Sequence, residues 1–324
     1  MTAKEQYKAL CETEGSAIPL FLQYWWMETV CEGKHWDVAL SFRKGEIVGA
    51  MPYLLGCRLG MRYILQPQLT QYNGPWYRYP EGLDECRRLS FEKQVAQDLW
   101  QQILALRPAY YQQNFSPAIT NWLPFHWAGC SQTTLYSYRL NDISDSQRLF
   151  DAFDRDERQK KILRLEPQTR IVTNLSPDRF ARYHRAYWEG KGQRDLLSEE
   201  FITRLCTVAT GRGNGMIVGL EDLDGNLIAA RFVVYDDRCA YSLLSAFDSA
   251  HYLNGATETL VWGTLQALRD KTRAYDFEGS MDEGIEYFYR SFGAVQTPYF
   301  RVTQCFNPLF GLLLLAQRFK VKHF

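Results

Sequence analysis

Four carboxylates, Asp276, Glu278, Asp282 and Glu283, fall within eight residues in DFEGSMDE. Carboxylates at that density bind an ammonium group or take a proton from it. Asp276 and Glu278 are two apart in a segment that reads as a strand, so they are expected to point to one side of it. Asp282 precedes a helical pattern and has a second reading as the cap of that helix. A carboxylate beside an apolar wall such as Phe277 is expected to keep its proton to higher pH. Arg290, seven residues past Glu283, suits a phosphate or carboxylate, or a surface ion pair.

A second group is cationic. Lys160, Lys161 and Arg164 lie on or near one helical stripe, with Arg158 three residues before Lys161. Such a stripe suits a phosphate or RNA contact, or it is a solvated face offset by Asp156 and Glu157. In WEGKGQR, Lys191 is flanked by glycines beside Trp188 and followed by Arg194, an arrangement that can reach an anion. Tyr72, Asn73, Trp76 and Tyr77 share the loop LTQYNGPWY. Large aromatics in a loop either anchor it by packing or line a cleft. The five histidines are dispersed, and there is no Ser/His/Asp order with a nucleophile elbow. The eight cysteines form no CxxC pair and no Cys/His cluster, so buried free thiols and no metal are expected.

The elements that must position these residues occur twice. WDVALSF (36–42), EIVGAMPYLLG (46–56) and MRYILQPQ (61–68) read as a three-strand meander. GMIVGLED (215–222), LIAARFVVY (227–235) and CAYSLLSAF (239–247) read as another. Helical periodicity follows each, over 90–106 and 254–270. Then come a strand (109–115; 274–280), a short helix (117–126; 282–291) and a last strand (128–140; 293–303). Gly129 and Gly293 stand where a helix end wants a left-handed residue. Between the copies lie a helical stretch at 144–166, a strand at 169–175 and helices at 176–192 and 198–211. The division expected is 1–142 and 143–324.

At 324 residues the chain suits about two domains. Lys+Arg and Asp+Glu are both 37, so the formal charge is zero, which argues against a DNA-coating role. The N-terminus has no basic and apolar leader pattern, and the scattered thiols suit a reducing compartment; a cytoplasmic protein is expected. The apolar run Leu309 to Ala316 is far short of the roughly 20 residues that span a bilayer. With Arg318, Lys320 and Lys322 it makes a basic amphipathic tail, which either packs on the second half or lies on a membrane surface.

The order helix pair, meander, helix, strand, helix, strand resembles the GNAT acyltransferase fold. Two copies, with a basic helix opening the second, resemble the FemAB-like family, which includes the aminoacyl transferases of peptidoglycan cross-bridges. DFEGSMDEGIEYFYRSFGA (276–294) is similar to that family's strand, acidic loop and FY-x-x-FG helix end. RQKKILRLE (158–166) is similar to its basic helix, and LTQYNGPWY (69–77) to its aromatic loop. The resemblance implies an α/β (α+β) fold: two tandem GNAT-like domains, each a mixed, mostly antiparallel sheet flanked by helices. It implies Asp276 or Glu278 as base or amine binder, and Tyr289 as the acid for the leaving group. The basic helix would lie near substrate phosphates. The donor would pass Tyr241, Ser245 and Asp248, where GNAT sheets splay.

GNAT enzymes that use coenzyme A carry [QR]-x-x-G-x-[GA] before the helix whose N-terminus cradles the pyrophosphate. Here DSAHYLNGATET keeps Gly255 but has Tyr252 and Thr257 at the other two places, with His251 alongside. That favours aminoacyl-tRNA or another activated donor over acyl-CoA. The expectation is an N-acyltransferase acting on an amino group of a peptide or sugar-peptide acceptor, with the first half shaping the acceptor groove. One alternative is a coenzyme A-dependent acetyltransferase of polysaccharide synthesis. The other is a catalytically silent tandem domain that holds a phosphorylated or RNA ligand on the 158–164 helix.

Overall fold

A computed structural model describes residues 1–248, 253–279 and 281–321, the side chains of 157 and 315–321 aside. The chain forms two compact units, Met1–Leu135 with Pro298–Phe324, and Tyr136–Thr297. A tandem division at 142 leaves everything past Pro298 with the second half. Packing instead returns that segment to the first unit.

The first unit opens with α1 (Ala3–Glu14) and α2 (Tyr24–Val30). The meander follows as β1 (His35–Arg43), β2 (Glu46–Arg58) and β3 (Met61–Leu65). Lys44 and Gly45 both have positive φ, 51° and 85°, as a two-residue hairpin turn that matches strand twist requires. Next are β4 (Trp76–Tyr77), α3 (Glu85–Ala105), β5 (Tyr110–Asn114), α4 (Leu123–Trp127) and β6 (Ser131–Leu140), which runs on into the second unit. Helix α4 is shorter than the 117–126 expected, and residues 117–121 are irregular. β3 pairs in parallel with β5 through Tyr63↔Tyr110 and Ile64↔Tyr111. Val95, Leu99 and Ile103 of α3 pack on Met51, Ile64 and Tyr111 of this sheet.

The second unit continues with α5 (Ser146–Asp151), a π-turn at Arg155–Gln159 and α6 (Lys160–Leu165), so the helical stretch at 144–166 holds two helices. Then come β7 (Thr169–Val172), α7 (Pro177–Gly190) and α8 (Glu199–Gly211). The second meander is β8 (Gly215–Asp222), β9 (Leu227–Tyr235) and β10 (Cys239–Phe247). α9 (Ala256–Leu268), β11 (Ala274–Asp276) and α10 (Glu283–Arg290) complete it. The sheet order is β6-β11-β10-β9-β8-β7, with β10 and β11 parallel and their neighbours antiparallel. Val261, Leu265 and Leu268 of α9 close a core with Tyr275, Phe277 and Phe292.

The chain then runs along β12 (Val295–Cys305), whose residues 301–305 pair antiparallel with β5, and ends in α11 (Pro308–Val321). Phe310 of α11 packs against Tyr63 and Tyr110, ring centroids 5.2 and 6.1 Å apart. The side chains of Arg318 and Lys320, and all of Lys322, lie outside the described residues. Among the described residues no helix is long and apolar enough to cross a membrane.

Candidate active site

The parallel ladder of β10 and β11 covers only Cys239↔Ala274, Ala240↔Tyr275 and Tyr241↔Asp276. Beyond it β10 runs on to Phe247, with a bulge between Ser242 and Leu244, while β11 has ended. The two strands part there.

The turn after Asp276 explains why. Glu278 and Gly279 have φ of 64° and 62°, both left-handed. A side chain on Gly279 would overlap the Tyr136 carbonyl oxygen and sit 2.7 Å from Ser137 Cα, so only glycine fits. Asp276, buried, holds the turn: its Oδ1 accepts from Ser137 Oγ and from the Glu278 N–H at 2.8 Å. The strand-like alternation expected for Asp276 and Glu278 is therefore absent. The strand stops at Asp276, and the turn, rather than the pleat, brings the second carboxyl beside the first. Glu278 Oε1 is buried without a hydrogen-bond partner among the described residues. Burial, and then the neighbouring Asp276, pushes the Glu278 carboxyl well above its ordinary range.

Helix α10 brings Tyr289. Asp282 caps it, accepting from the Gly284 and Ile285 N–H groups at 3.0 and 3.2 Å. Glu283 is exposed in the first turn. Tyr289 stacks on Phe277 at 4.7 Å. Burial pushes its hydroxyl up to about 12, against the lowering effect of Arg231; Tyr275, Glu278 and Asp276 add to the rise. Arg290 pairs with Glu286 at 2.9 Å on the surface.

Two residues escaped the sequence reading. Ser137 has no local signal, since its role depends on β6 lying beside β11. Arg231 has one: it is the single charge in the strand LIAARFVVY. It is buried, with Nε donating to Ser245 Oγ at 3.1 Å and Nη1 to Tyr275 Oη at 2.9 Å.

Among the residues singled out earlier, Tyr241 and Ser245 sit on β10 at this parting. Burial pushes the Tyr241 hydroxyl well up. Asp248 follows β10 and helps line a separate cleft of about 590 Å³ with Arg179, Arg182 and Tyr183. His251 and Tyr252 lie outside the described residues. Gly255 starts α9 in a left-handed conformation (φ 102°).

The basic stripe faces inward more than expected. Arg158 is buried, and its Nη1 meets Glu258 Oε1 at 3.0 Å; Lys161 Nζ meets the same oxygen at 3.2 Å. Arg164 donates to the Asn254 carbonyl at 2.9 Å, and Lys160 pairs with Asp156. The stripe thus fastens α6 to the start of α9. Lys191 lies over the ring of Tyr187 at 4.5 Å, and Arg194 lines a cleft with Arg185 and Glu189.

In the first unit, Tyr72, Asn73 and Trp76 are all buried. Tyr72 packs edge-on against Phe21 and Tyr299, and Trp76 Nε1 donates to the Ala17 carbonyl at 3.1 Å. Asn73 bridges Phe115 beyond the β3–β5 ladder, filling the place where the corresponding strands of the second unit part. Aligning AYYQQNF with AYDFEGS sets Tyr111 at the place of Asp276 and Gln113 at that of Glu278. Gln113 is fully buried and donates to the Pro52 carbonyl at 2.8 Å. The first copy therefore has neither carboxylate. Among the described residues no group of His, Cys, Asp and Glu is arranged to hold a metal ion.

Residues 154–289 match the family model described as an acetyltransferase (GNAT) domain. No curated protein matches by sequence. Among solved structures the chain is similar to FemX, at 11% identity and TM-score 0.70, covering 96% of this chain and 98% of that one. L-PGS from Bacillus licheniformis is similar at 13% identity and TM-score 0.61, covering 97% and 96%. A tandem GNAT protein from the clavulanic acid biosynthesis pathway is similar at 14% identity and TM-score 0.57, covering 93% and 94%. The chain thus has a tandem GNAT-type fold, and the match over 154–289 supports an acyltransferase.

Proposed function

We propose that this tandem GNAT-fold chain moves an acyl or aminoacyl group from an activated donor to an amino group on a peptide or sugar-peptide acceptor, with the chemistry in its second unit. The observation that carries the reading is the Glu278 carboxyl: buried, unpartnered at Oε1 and raised in pKa beside Asp276, where β10 and β11 part. A carboxylate of raised pKa is a stronger base, suited to taking a proton from an amine near neutral pH. The amine nitrogen attacks the acyl carbon, the C–N bond forms, and the nitrogen's proton passes to the Glu278 carboxylate. The bond from acyl carbon to the leaving oxygen or sulfur then breaks. The leaving atom takes the Tyr289 hydroxyl proton, and Glu278 restores it through water.

The departure from the [QR]-x-x-G-x-[GA] pattern around Gly255 supports an ester donor such as charged tRNA. The acetyltransferase description of the 154–289 match favours a second reading, with acetyl-coenzyme A as donor.

The test incubates the full chain with a peptide amine and either charged tRNA or acetyl-coenzyme A, and follows the acylated peptide by mass spectrometry. Transfer from the ester, reduced about 10²–10⁴-fold in Glu278→Gln, is expected. Transfer from acetyl-coenzyme A alone selects the second reading. No transfer from either donor, or full turnover in Glu278→Gln, sinks the assignment.

A further inference from the structure

At one place in the second unit, a buried guanidinium meets the hydroxyls of buried Tyr275 and half-buried Ser245 rather than a carboxylate. Arg231 is 4% exposed. Its Nε and Nη1 donate to Ser245 Oγ and Tyr275 Oη. Each hydroxyl spends a lone pair on the guanidinium and keeps its own proton to give. Among the described residues neither proton has an acceptor, and no carboxylate stands within ion-pair distance of Arg231. A buried guanidinium without a counter-charge is costly, and donors converging without an acceptor suit an anion.

The charge balance selects the kind of anion. Arg231 brings one positive charge, and the ionisable groups that share its influence on Tyr289 include the acidic Asp276 and Glu278. A phosphate dianion would bring two negative charges to the one positive charge of Arg231. A carboxylate brings one charge and matches the planar fork of a guanidinium.

We infer that Arg231, Ser245 and Tyr275 form the seat of a substrate carboxylate, so that the acceptor carries its amine and a free carboxylate on one molecule, as an amino acid or a short peptide does. The seat stands on its own geometry; its assignment to the acceptor rests on the acyltransferase reading. In that arrangement Arg231 holds one end of the acceptor while Glu278 receives the proton at the other.

The test is thermal denaturation of the full chain, at matched ionic strength, with alanyl-alanine, its C-terminal amide, acetate or inorganic phosphate. At about tenfold its dissociation constant a ligand should raise the midpoint by roughly 3 °C or more. Alanyl-alanine is expected to do so, its amide and phosphate are not, and Arg231→Gln should abolish the shift. A shift with acetate but none with the dipeptide takes the carboxylate away from the acceptor and overturns that half of the inference. No shift with either, or the same shift in Arg231→Gln, overturns the seat. Arg231→Leu gives a second reading: its midpoint, without ligand, is expected at or above that of the parent. A steep fall would make Arg231 a structural residue. These readouts need no turnover, so a failed acyl-transfer assay leaves them standing.

Discussion

Replacing Glu278 by glutamine should stabilise the protein, and by an amount that depends on pH. The native carboxyl holds its proton to higher pH than the same group in the unfolded chain, because burial and Asp276 disfavour its charge. Between the unfolded pKa, about 4.3, and the raised folded value, the native state binds more protons than the unfolded one. Stability carried by this group is therefore lost as pH rises through that window. Glutamine has the same shape, adopts the same left-handed backbone (φ 64° at Glu278) and does not titrate, so other contributions cancel in the difference. The difference should be near zero at pH 4 and grow by at most about 1.4 kcal/mol per pH unit. It should level off above the folded pKa. For a unit of this size that slope is roughly 3–5 °C in midpoint per pH unit. Urea unfolding of both proteins at unit steps from pH 4 to 8 measures it. The pH at which the curve flattens should match the inflection in the acyl-transfer rate. A flat difference, or a variant less stable than its parent at neutral pH, would refute the buried, raised carboxyl.

Gly279→Ala should cost more than about 2 kcal/mol by urea titration, since it combines a left-handed φ of 62° with overlap on the Tyr136 carbonyl. Glu258→Ala strands the buried Arg158 and should cost about 3–5 kcal/mol, whereas Arg158→Met with Glu258→Leu should restore most of it. Equal losses in the single and double variants would show that the ion pair is not what the site requires. Tyr289→Phe keeps the stack on Phe277, so its midpoint should barely move while transfer from an ester donor falls about 10²–10⁴-fold. An undiminished rate would remove Tyr289 as the acid.

The meander strands were legible because their apolar runs are broken by turn pairs; GMIVGLED and LIAARFVVY appear as strands with the expected bounds. Asp282 was readable as a cap because capping is local. The backbone at Glu278 was not legible: period-two alternation presumes an extended chain, whereas its left-handed φ depends on the packing of Gly279 against β6. The basic stripe was seen, but not its use, because Glu258 lies a hundred residues from Arg158 in sequence. Tyr72 and Trp76 carry the same composition whether they line a cleft or fill a core; only the neighbours Phe21, Tyr299 and Ala17, far away in the chain, decide.

The return of the chain to its first unit after Thr297 sets an order of events during synthesis. A chain growing at roughly 5–20 residues per second completes the second unit before β12 has been made. Until then the β5 backbone from Tyr110 to Asn114 lacks the partner that Arg301–Cys305 will supply, and an unpaired strand edge invites pairing with other chains. The unit begun first is thus finished last. Its nascent state, rather than the second unit, is where a chaperone is most needed and where truncation past Thr297 would do its damage.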